Sequence, residues 1–334
     1  MVVREDVSLR PYNTFGIECV ASRMVDCMSV EEVRDVAREV SGGRYYVLGG
    51  GSNVLFLRDF EGTVVRPLVG GIDVVGEDGG DVVVRVGSGV VWDEFVGWCV
   101  DRGLGGVENL SGVPGNVGAA PVQNIGAYGV EAKDVVERVW GERVGGGELV
   151  LGGGECGFGY RDSVFKHGLR GEVIVTRVDF RLHRGVECKL DYGALRGAVE
   201  ALGGVSLGNV RRAVLSIRGS KLPDPKVLGN AGSFFKNPEV SEEVADALGR
   251  EYTGMPRYAL GDGRVKIPAG WLIERSGWKG RGMGRAAVHD RQALVLVNKG
   301  GASADEVVAL CEAVRADVRS MFGIELSPEV NFVG

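Results

Sequence analysis

The amino-acid sequence predicts an α+β protein of two domains, or three. Helix-like and strand-like segments are mixed along the chain without the strict βαβ alternation of a doubly wound fold. The chain has 334 residues, and a domain usually takes roughly 100–200 residues. Glycine is the outlier, with 56 copies, against the ~7% that is usual in proteins. So much glycine predicts many tight turns and close approaches of the main chain.

Composition and charge exclude several classes of protein. Apolar residues make up 44% and charged residues 25% of the chain, which excludes long disorder and fibre compositions. The net charge of −6 argues against a nucleic-acid partner. No apolar run approaches the ~18 residues of a membrane span, and residues 1–10 show no signal peptide. The six cysteines form no C-x-x-C pair, which is typical of reduced thiols in a cytoplasmic protein.

The first predicted helix begins at Ser29. Glu32 follows three residues later, as in a capping box, and Gly42 ends the helix. Apolar residues recur between them at helical spacing, namely Val30, Val33, Val36, Ala37 and Val40.

The middle of the chain reads as short strands and one helix. Apolar runs predict strands at 45–48, 54–57, 82–86 and 173–182, and a helix at 91–100. Residues 103–129 are glycine-rich, and 185–208 show little pattern and could hold a domain boundary.

The last third predicts a helix at 241–248, a buried strand at 293–297 and a strand-like run at 324–326. Ser303 and Glu306 form a second capping box at the start of a long amphipathic helix, and Gly323 ends it.

Two glycine-rich loops are candidates for holding an anionic or flat ligand. Residues 49–53, Gly-Gly-Gly-Ser-Asn, lie between two apolar runs, and their free amides could form an anion nest or a plain turn. Residues 111–129 are long, small and nearly free of charge. Such a loop must lie against something, either the protein itself or a flat cofactor. One G-x-G-x-x-G occurs at Gly152, Gly154 and Gly157, but it opens no obvious helix, so a Rossmann site is not predicted.

Ordered motifs resemble those of the UDP-N-acetylenolpyruvoylglucosamine reductase (MurB) family. They span almost the whole chain, from about residue 13 to 334, and each is moderately specific, whereas the ordered set is highly specific. The motifs lie at 49–53, 111–129, 159–163, 221–225, 230–238, 269–274 and 328–330. Tyr258, in a loop before 265–270, resembles the type I branch of the family.

The resemblance implies a fold and a reaction. The expected fold is an FAD-binding module of the vanillyl-alcohol-oxidase type, with two lobes over 10–185, to which residues 324–334 return near the active site. A C-terminal α+β substrate-binding domain is expected over 205–323. The family reduces an enolpyruvyl ether of a UDP-sugar to UDP-N-acetylmuramate, with FAD and NADPH, in the synthesis of peptidoglycan precursors.

Three residues carry the catalytic roles that the resemblance implies. Arg161 would bind the substrate carboxylate and stabilise the enolate, and Glu329 would assist it. Ser233 would give a proton to the α-carbon while hydride reaches the β-carbon. From the residues alone, Arg161 could instead pair with Asp162, and Ser233 could be a turn residue.

The resemblance also assigns binding residues and partners. We expect non-covalent FAD, because neither glycine loop contains His or Cys. We also expect NADPH as reductant, a UDP-sugar substrate, no metal, no nucleic acid, no membrane, and a cytoplasmic monomer. The cofactor residues would be Gly49, Gly50, Gly51, Ser52, Asn53, Val54, Gly115, Asn116, Val117, Gly118 and Ala119. The substrate residues would be Tyr128, Tyr192, Lys221, Asn237, Tyr258, Lys266 and Gln292.

A basic segment could support diphosphate binding or be a solvated face. Its cations are Arg211, Arg212, Arg218, Lys221, Lys226 and Lys236, with Asp224 as the acid among them.

The sequence leaves two rival functions open, a flavin oxidase of the same cofactor module and a non-catalytic UDP-sugar sensor. The last motif has Asn331 where many relatives carry a basic residue, which puts any flavin contact of that side chain in doubt.

Overall fold

The computed structural model describes residues 1–185 and 187–334, and these divide into two units. Unit 1 comprises 1–7, 21–51 and 61–220, and unit 2 comprises 8–20, 52–60 and 221–334. The chain passes between the units inside the 49–53 loop, so that Gly51 belongs to unit 1 and Ser52 to unit 2.

The helices of the described residues largely follow the apolar spacing of the sequence. Ser29 caps the first helix and accepts a hydrogen bond from the Glu32 amide, and Ser303 and Glu306 form a full capping box at the last helix. Gly323 ends that helix with φ of 67°. The helices are α1 (Val30–Glu39), α2 (Trp92–Asp101), α3 (Leu195–Glu200), α4 (Leu207–Lys221), α5 (Glu242–Glu251), α6 (Ala269–Arg275) and α7 (Ala304–Phe322).

Unit 1 contains two main sheets. The first has the strand order Val2–Ser8, Val20–Cys27, Phe60–Pro67 and Tyr45–Val47. The second has the order Glu148–Gly152, Val136–Arg143, Val173–Arg184, Asp81–Gly87 and Ile72–Asp78, and Leu104–Gly105 also pairs with Val173–Arg184. The short strands Gly126–Ala127 and Val130–Glu131 pair with each other.

The larger sheet of unit 1 packs its apolar face on α2. Trp92 and Phe95 of α2 contact Phe180 of the sheet, with ring centroids 5.7 and 4.8 Å away. All three side chains are buried. This core fixes the start of α2, which directly follows the Gly87–Val91 turn.

Unit 2 combines three small sheets with α5, α6 and α7. Its strand orders are Gly229–Ser233, Val295–Asn298, Ala286–Val288 and Gly282–Met283 in one sheet, Glu239–Ser241, Arg264–Lys266 and Tyr258–Ala259 in another, and Asn331–Val333 parallel to Val54–Phe56 in the third. The apolar stripe predicted for the last helix is buried in the core of this unit.

Several features differ from the sequence prediction. Helices α3, α4 and α6 occupy stretches where the sequence predicts no helix, strands such as Val136–Arg143 are not predicted, and residues 324–326 form no strand. The predicted domain limits, 10–185 and 205–323, also divide the chain differently from the two units. Val210, Ala213 and Val214 of α4 pack on α3 residues Leu195 and Val199, which keeps the chain in unit 1 as far as Ser220. Among the described residues, none of the helices has both the length and the apolarity that crossing a bilayer requires.

Candidate functional site

The two predicted glycine loops meet in unit 1. A Cβ added to Gly50 would lie 2.8 Å from Gly115 Cα and 2.9 Å from Asn116 Oδ1, and one added to Gly49 would lie 3.6 Å from Ala119 Cβ. The main chains therefore touch where no side chain intervenes. Glycine at Gly50 is required by this close approach.

The second glycine loop is anchored to the turn before α2. The Asn116 amide group donates from Nδ2 to Gly89 O at 2.8 Å, and the Val117 and Gly118 amides donate to Val90 O and Ser88 O at 2.9 and 3.0 Å. A Cβ on Gly118 would lie 2.6 Å from Ser88 Cβ. The segment from Gly115 to Ala119 is thus fixed by backbone hydrogen bonds and by the Asn116 side chain.

These loops fit the flavin dinucleotide that the sequence implies. The backbone amides of Gly49 and Gly50 donate no hydrogen bond to any other described residue. Gly49 is half-buried and Gly50 is exposed, so these donors lie where an anion can reach them.

The remaining part of the first loop belongs to unit 2 and is tied to the C-terminal segment. Asn331 donates two hydrogen bonds to Asn53 O, from its backbone N–H at 3.1 Å and from its side-chain Nδ2 at 3.0 Å. Asn53 Nδ2 donates to Glu329 O at 3.3 Å. Val54 begins the strand that pairs with 331–333. The Asn331 side chain therefore binds the loop itself.

The structure brings two predicted catalytic residues, Ser233 and Glu329, onto adjacent backbone segments of unit 2. The Glu329 amide donates to Phe234 O at 2.8 Å, and the Lys236 amide donates to Ser327 O at 2.9 Å. Ser233 ends its strand opposite Val295. Both Ser233 and Glu329 are half-buried.

Arg161 lies in unit 1 at the tip of a tight hairpin. Gly159 and Asp162 exchange backbone hydrogen bonds of 3.0 and 3.2 Å, and Arg161 between them has φ of 53°. Its Nη2 donates to Gly126 O at 2.7 Å, and its guanidinium lies 5.4 Å from the centre of the Tyr160 ring. The Asp162 carboxylate binds His167 Nε2 at 2.8 Å.

Asn124 anchors this hairpin and is a residue that sequence reasoning missed. Its side chain is fully buried; Nδ2 donates to Gly159 O at 2.9 Å, and Oδ1 accepts from the Lys133 amide at 2.9 Å. Asn124, Tyr128 and Arg161 are three of the four described non-glycine residues with positive φ. Strained backbone often clusters at functional sites. Nothing in the sequence distinguishes Asn124 from Asn116 in the same loop.

Tyr128 and Tyr192 pack edge to face in unit 1, with ring centroids 5.7 Å apart. Burial raises the pKa of the Tyr128 phenol, and the nearby Arg218 opposes that rise. Burial also lowers the pKa of the Arg218 guanidinium, which forms no salt bridge with any described residue. Arg211, by contrast, binds both oxygens of Asp93, at 2.6 and 2.9 Å.

The other predicted substrate residues lie in unit 2. Lys266 pairs in register with Tyr258, which is 57% exposed. Asn237 Oδ1 accepts from the Ala269 amide at 2.9 Å, and Gln292 Oε1 accepts from the Leu294 amide at 3.4 Å. Lys221 is exposed at the end of α4.

Comparisons of sequence identify relatives over the whole chain. Residues 224–333 match the model of the UDP-N-acetylenolpyruvoylglucosamine reductase C-terminal domain, and 21–156 match that of an FAD binding domain. The chain is 52% identical over 335 residues to the UDP-N-acetylenolpyruvoylglucosamine reductase of Bacteroides fragilis, covering 99% of this chain and 100% of that one. It is 48% identical over 336 residues to the protein of the same name from Chromobacterium violaceum, covering 98% and 97%.

Comparisons of structure agree on the fold. A crystal structure of UDP-N-acetylenolpyruvylglucosamine reductase (MurB) from Thermus caldophilus matches with a TM-score of 0.71 and 27% identity, over 100% of each chain. The 6-hydroxy-D-nicotine oxidase of Arthrobacter nicotinovorans matches with a TM-score of 0.53 and 14% identity, over 97% of this chain and 86% of the oxidase, which shows a shared fold alone. The predicted α+β fold, with a flavin module of the vanillyl-alcohol-oxidase type and a C-terminal domain, is confirmed.

Proposed function

The chain belongs to the UDP-N-acetylenolpyruvoylglucosamine reductase family, and we propose that it reduces UDP-N-acetylenolpyruvoylglucosamine to UDP-N-acetylmuramate with NADPH as the electron source. It is an FAD-dependent oxidoreductase of peptidoglycan synthesis. The observation that carries the proposal is the 52% identity over essentially the full length of both chains. The motif residues Arg161, Ser233 and Glu329 are all present. We propose further that the enzyme works as a cytoplasmic monomer.

The glycine loops would hold FAD. We assign the diphosphate of FAD to the backbone amides of Gly49 and Gly50. We assign the flat flavin ring to residues 115–119, whose small, uncharged side chains leave space for it beside the main chain. Ser52, Asn53 and Val54 would complete the contact. Once reduced by NADPH, the bound flavin would supply the hydride that reaches the β-carbon of the enolpyruvyl group.

Arg161 would bind the enolpyruvyl carboxylate. A guanidinium stays charged at every relevant pH and offers paired donors to a carboxylate. As hydride arrives, negative charge builds on the carboxylate side, and a fixed cation there stabilises it. The hairpin of Gly159–Asp162, anchored by Asn124, holds the backbone of Arg161 in a conformation that a mobile loop would not keep. We propose that Glu329 assists in stabilising the enolate.

Ser233 would give the proton to the α-carbon. Its backbone is fixed by the strand pairing with Val295 and by the segment of Glu329 beside it. A hydroxyl is a weak acid, so a short, fixed path to the α-carbon is required of it. The proton and the hydride together convert the enolpyruvyl ether into the lactyl ether.

The other proposed substrate residues would bind the UDP-sugar. Lys221 and Lys266 offer ammonium groups to the diphosphate, and Asn237 and Gln292 offer amide groups to polar atoms of the substrate. Tyr128, Tyr192 and Tyr258 offer rings with hydroxyls, which suit the sugar and the uracil. The exposure of Tyr258 is consistent with a contact that forms when substrate binds.

The test is a steady-state assay of NADPH oxidation with the purified, FAD-loaded protein. We expect oxidation that depends on UDP-N-acetylenolpyruvoylglucosamine and yields UDP-N-acetylmuramate. Oxidation of other substrates with oxygen as acceptor, and yellow colour that stays with acid-precipitated protein, would indicate a flavin oxidase instead. Substrate binding without any turnover would indicate a sensor, and either result would refute the proposal.

A further inference from the structure

We propose that Glu239 limits the affinity for the nucleotide substrate, because its carboxylate competes with the substrate diphosphate for Lys266. This inference rests on the proposed function, in that Lys266 is assigned there to the diphosphate. It adds a residue that no motif of the sequence indicates, and it concerns affinity rather than the chemical step.

The small three-stranded sheet of unit 2 places these residues in one row. Lys266, on the central strand, is the register partner of Glu239 on one side and of Tyr258 on the other. Residues directly opposite each other in antiparallel strands point to the same face of the sheet. Two proposed substrate contacts, Tyr258 and Lys266, therefore share a face with a carboxylate.

The contacts show that Glu239 is held between two cations. Its Oε1 lies 3.6 Å from Lys266 Nζ, and its Oε2 lies 2.5 Å from Arg264 Nη1. The side chains of Glu239 and Lys266 are only 20% and 21% exposed, whereas that of Arg264 is 55% exposed. Arg264 also binds Asp262, at 2.9 and 2.6 Å. The carboxylate is thus part of a chain of charges that includes Asp262, Arg264 and Lys266.

A diphosphate that approaches Lys266 competes with this carboxylate for the ammonium group. The ammonium must share its donors between the phosphate and Glu239. This competition weakens binding of substrate and of product, since each carries the same UDP group. Glu239 does not touch the reacting atoms, so it should change affinity and leave the chemical step alone.

The experiment measures the dissociation constant of UDP by calorimetry on the FAD-loaded protein, together with kcat and KM for the enolpyruvyl substrate. For Glu239→Gln we expect UDP to bind about three- to fivefold more tightly, the range of a partly exposed ion pair. KM should fall by a similar factor and kcat should not rise. Asp262→Asn is the matched control, because it removes a carboxylate that contacts Arg264 but is not paired with Lys266, and it should leave UDP affinity unchanged.

A double-mutant cycle with Lys266→Met decides whether Glu239 acts through Lys266. Glu239→Gln should have no effect on UDP affinity in the Lys266→Met background. An unchanged or weaker affinity in Glu239→Gln, equal tightening in Asp262→Asn, or tightening that persists without Lys266 would each overturn the inference. If the wild type reduces the substrate while one of these results is found, only the role of Glu239 fails. A wild type that neither binds UDP nor turns over refutes the proposed function as well.

Discussion

Replacing Gly50 with alanine tests whether the contact between the two glycine loops forms the flavin site. The methyl group would lie 2.8 Å from Gly115 Cα, whereas ordinary contacts begin at 3.4 Å, so the loops must separate by the difference, 0.6 Å. Gly43, outside both loops, is the control. A methyl there would meet only Val40 O at 3.5 Å, an ordinary distance.

The strain should appear in flavin binding. Overpacking of this kind costs about 1–3 kcal/mol when the neighbours cannot move. The flavin-free protein can relax by opening the loops, since Gly50 is exposed. The flavin-bound protein needs them at their original spacing, so the cost falls on the bound state. We therefore expect FAD to bind about 5- to 150-fold more weakly in Gly50→Ala.

The assay is a titration of the flavin-free protein with FAD, followed by quenching of flavin fluorescence. Gly43→Ala should keep the affinity of the wild type, and the thermal midpoints of both flavin-free variants should stay close to that of the wild type. If Gly50→Ala binds FAD as tightly as the wild type, or if Gly43→Ala loses as much affinity, the loop contact does not form the cofactor site.

Three further variants test other parts of the molecule. In Ser233→Ala, NADPH should still reduce the flavin, while stopped-flow reoxidation by substrate should slow by about 10²–10⁴-fold; near-normal turnover would remove Ser233 from the mechanism. In Lys221→Ala, KM should rise with flavin content unchanged, and a large loss of flavin would move that residue to the cofactor. Burial raises the pKa of Asp93, but hydrogen bonds from Arg211 and the Gly112 amide outweigh it and bring the pKa below its ordinary 3.8. This ionised carboxylate stabilises the fold above that value, and the contribution is lost as pH falls through the lower, folded pKa. Urea unfolding should therefore show a greater loss of stability in the wild type than in Asp93→Asn between about pH 4 and pH 2, and equal losses would contradict the assignment.

Local signals predicted much of the fold. The helices that begin at Ser29, Ser241 and Ser303 carry an N-cap hydroxyl within the sequence itself, and each starts one residue after that serine in the structure. Such helices satisfy their own first amides, so neighbouring residues suffice to predict them. Helix α4 contains Val210, Ala213 and Val214 at helical spacing, yet its four cations suggest a charged surface first. Its apolar side becomes evident only once α3 lies against it.

Ordered motifs in the sequence indicate the candidate residues, but not the residues that hold them in place. Asn124 holds Gly159, which is 35 residues away, and Glu329 lies beside Phe234, at a separation of 95 residues. Contacts over such separations leave no periodic pattern, because each depends on how strands and turns are placed in the whole unit.

The sequence alone does not show which cations are neutralised in the folded protein. Counted along the sequence, residues 211–236 carry six cations and a single acid, and a count of this kind predicts a strong local field. In the structure Asp93, 118 residues away, neutralises Arg211 through two hydrogen bonds. Arg218, seven residues later, has no such partner among the described residues. Lys266, like Arg211, pairs with an acid that is distant along the sequence. Its partner Glu239 lies on a neighbouring strand. The field that an anionic substrate meets is therefore set by which cations the fold leaves uncompensated, and a net charge along the sequence cannot give it.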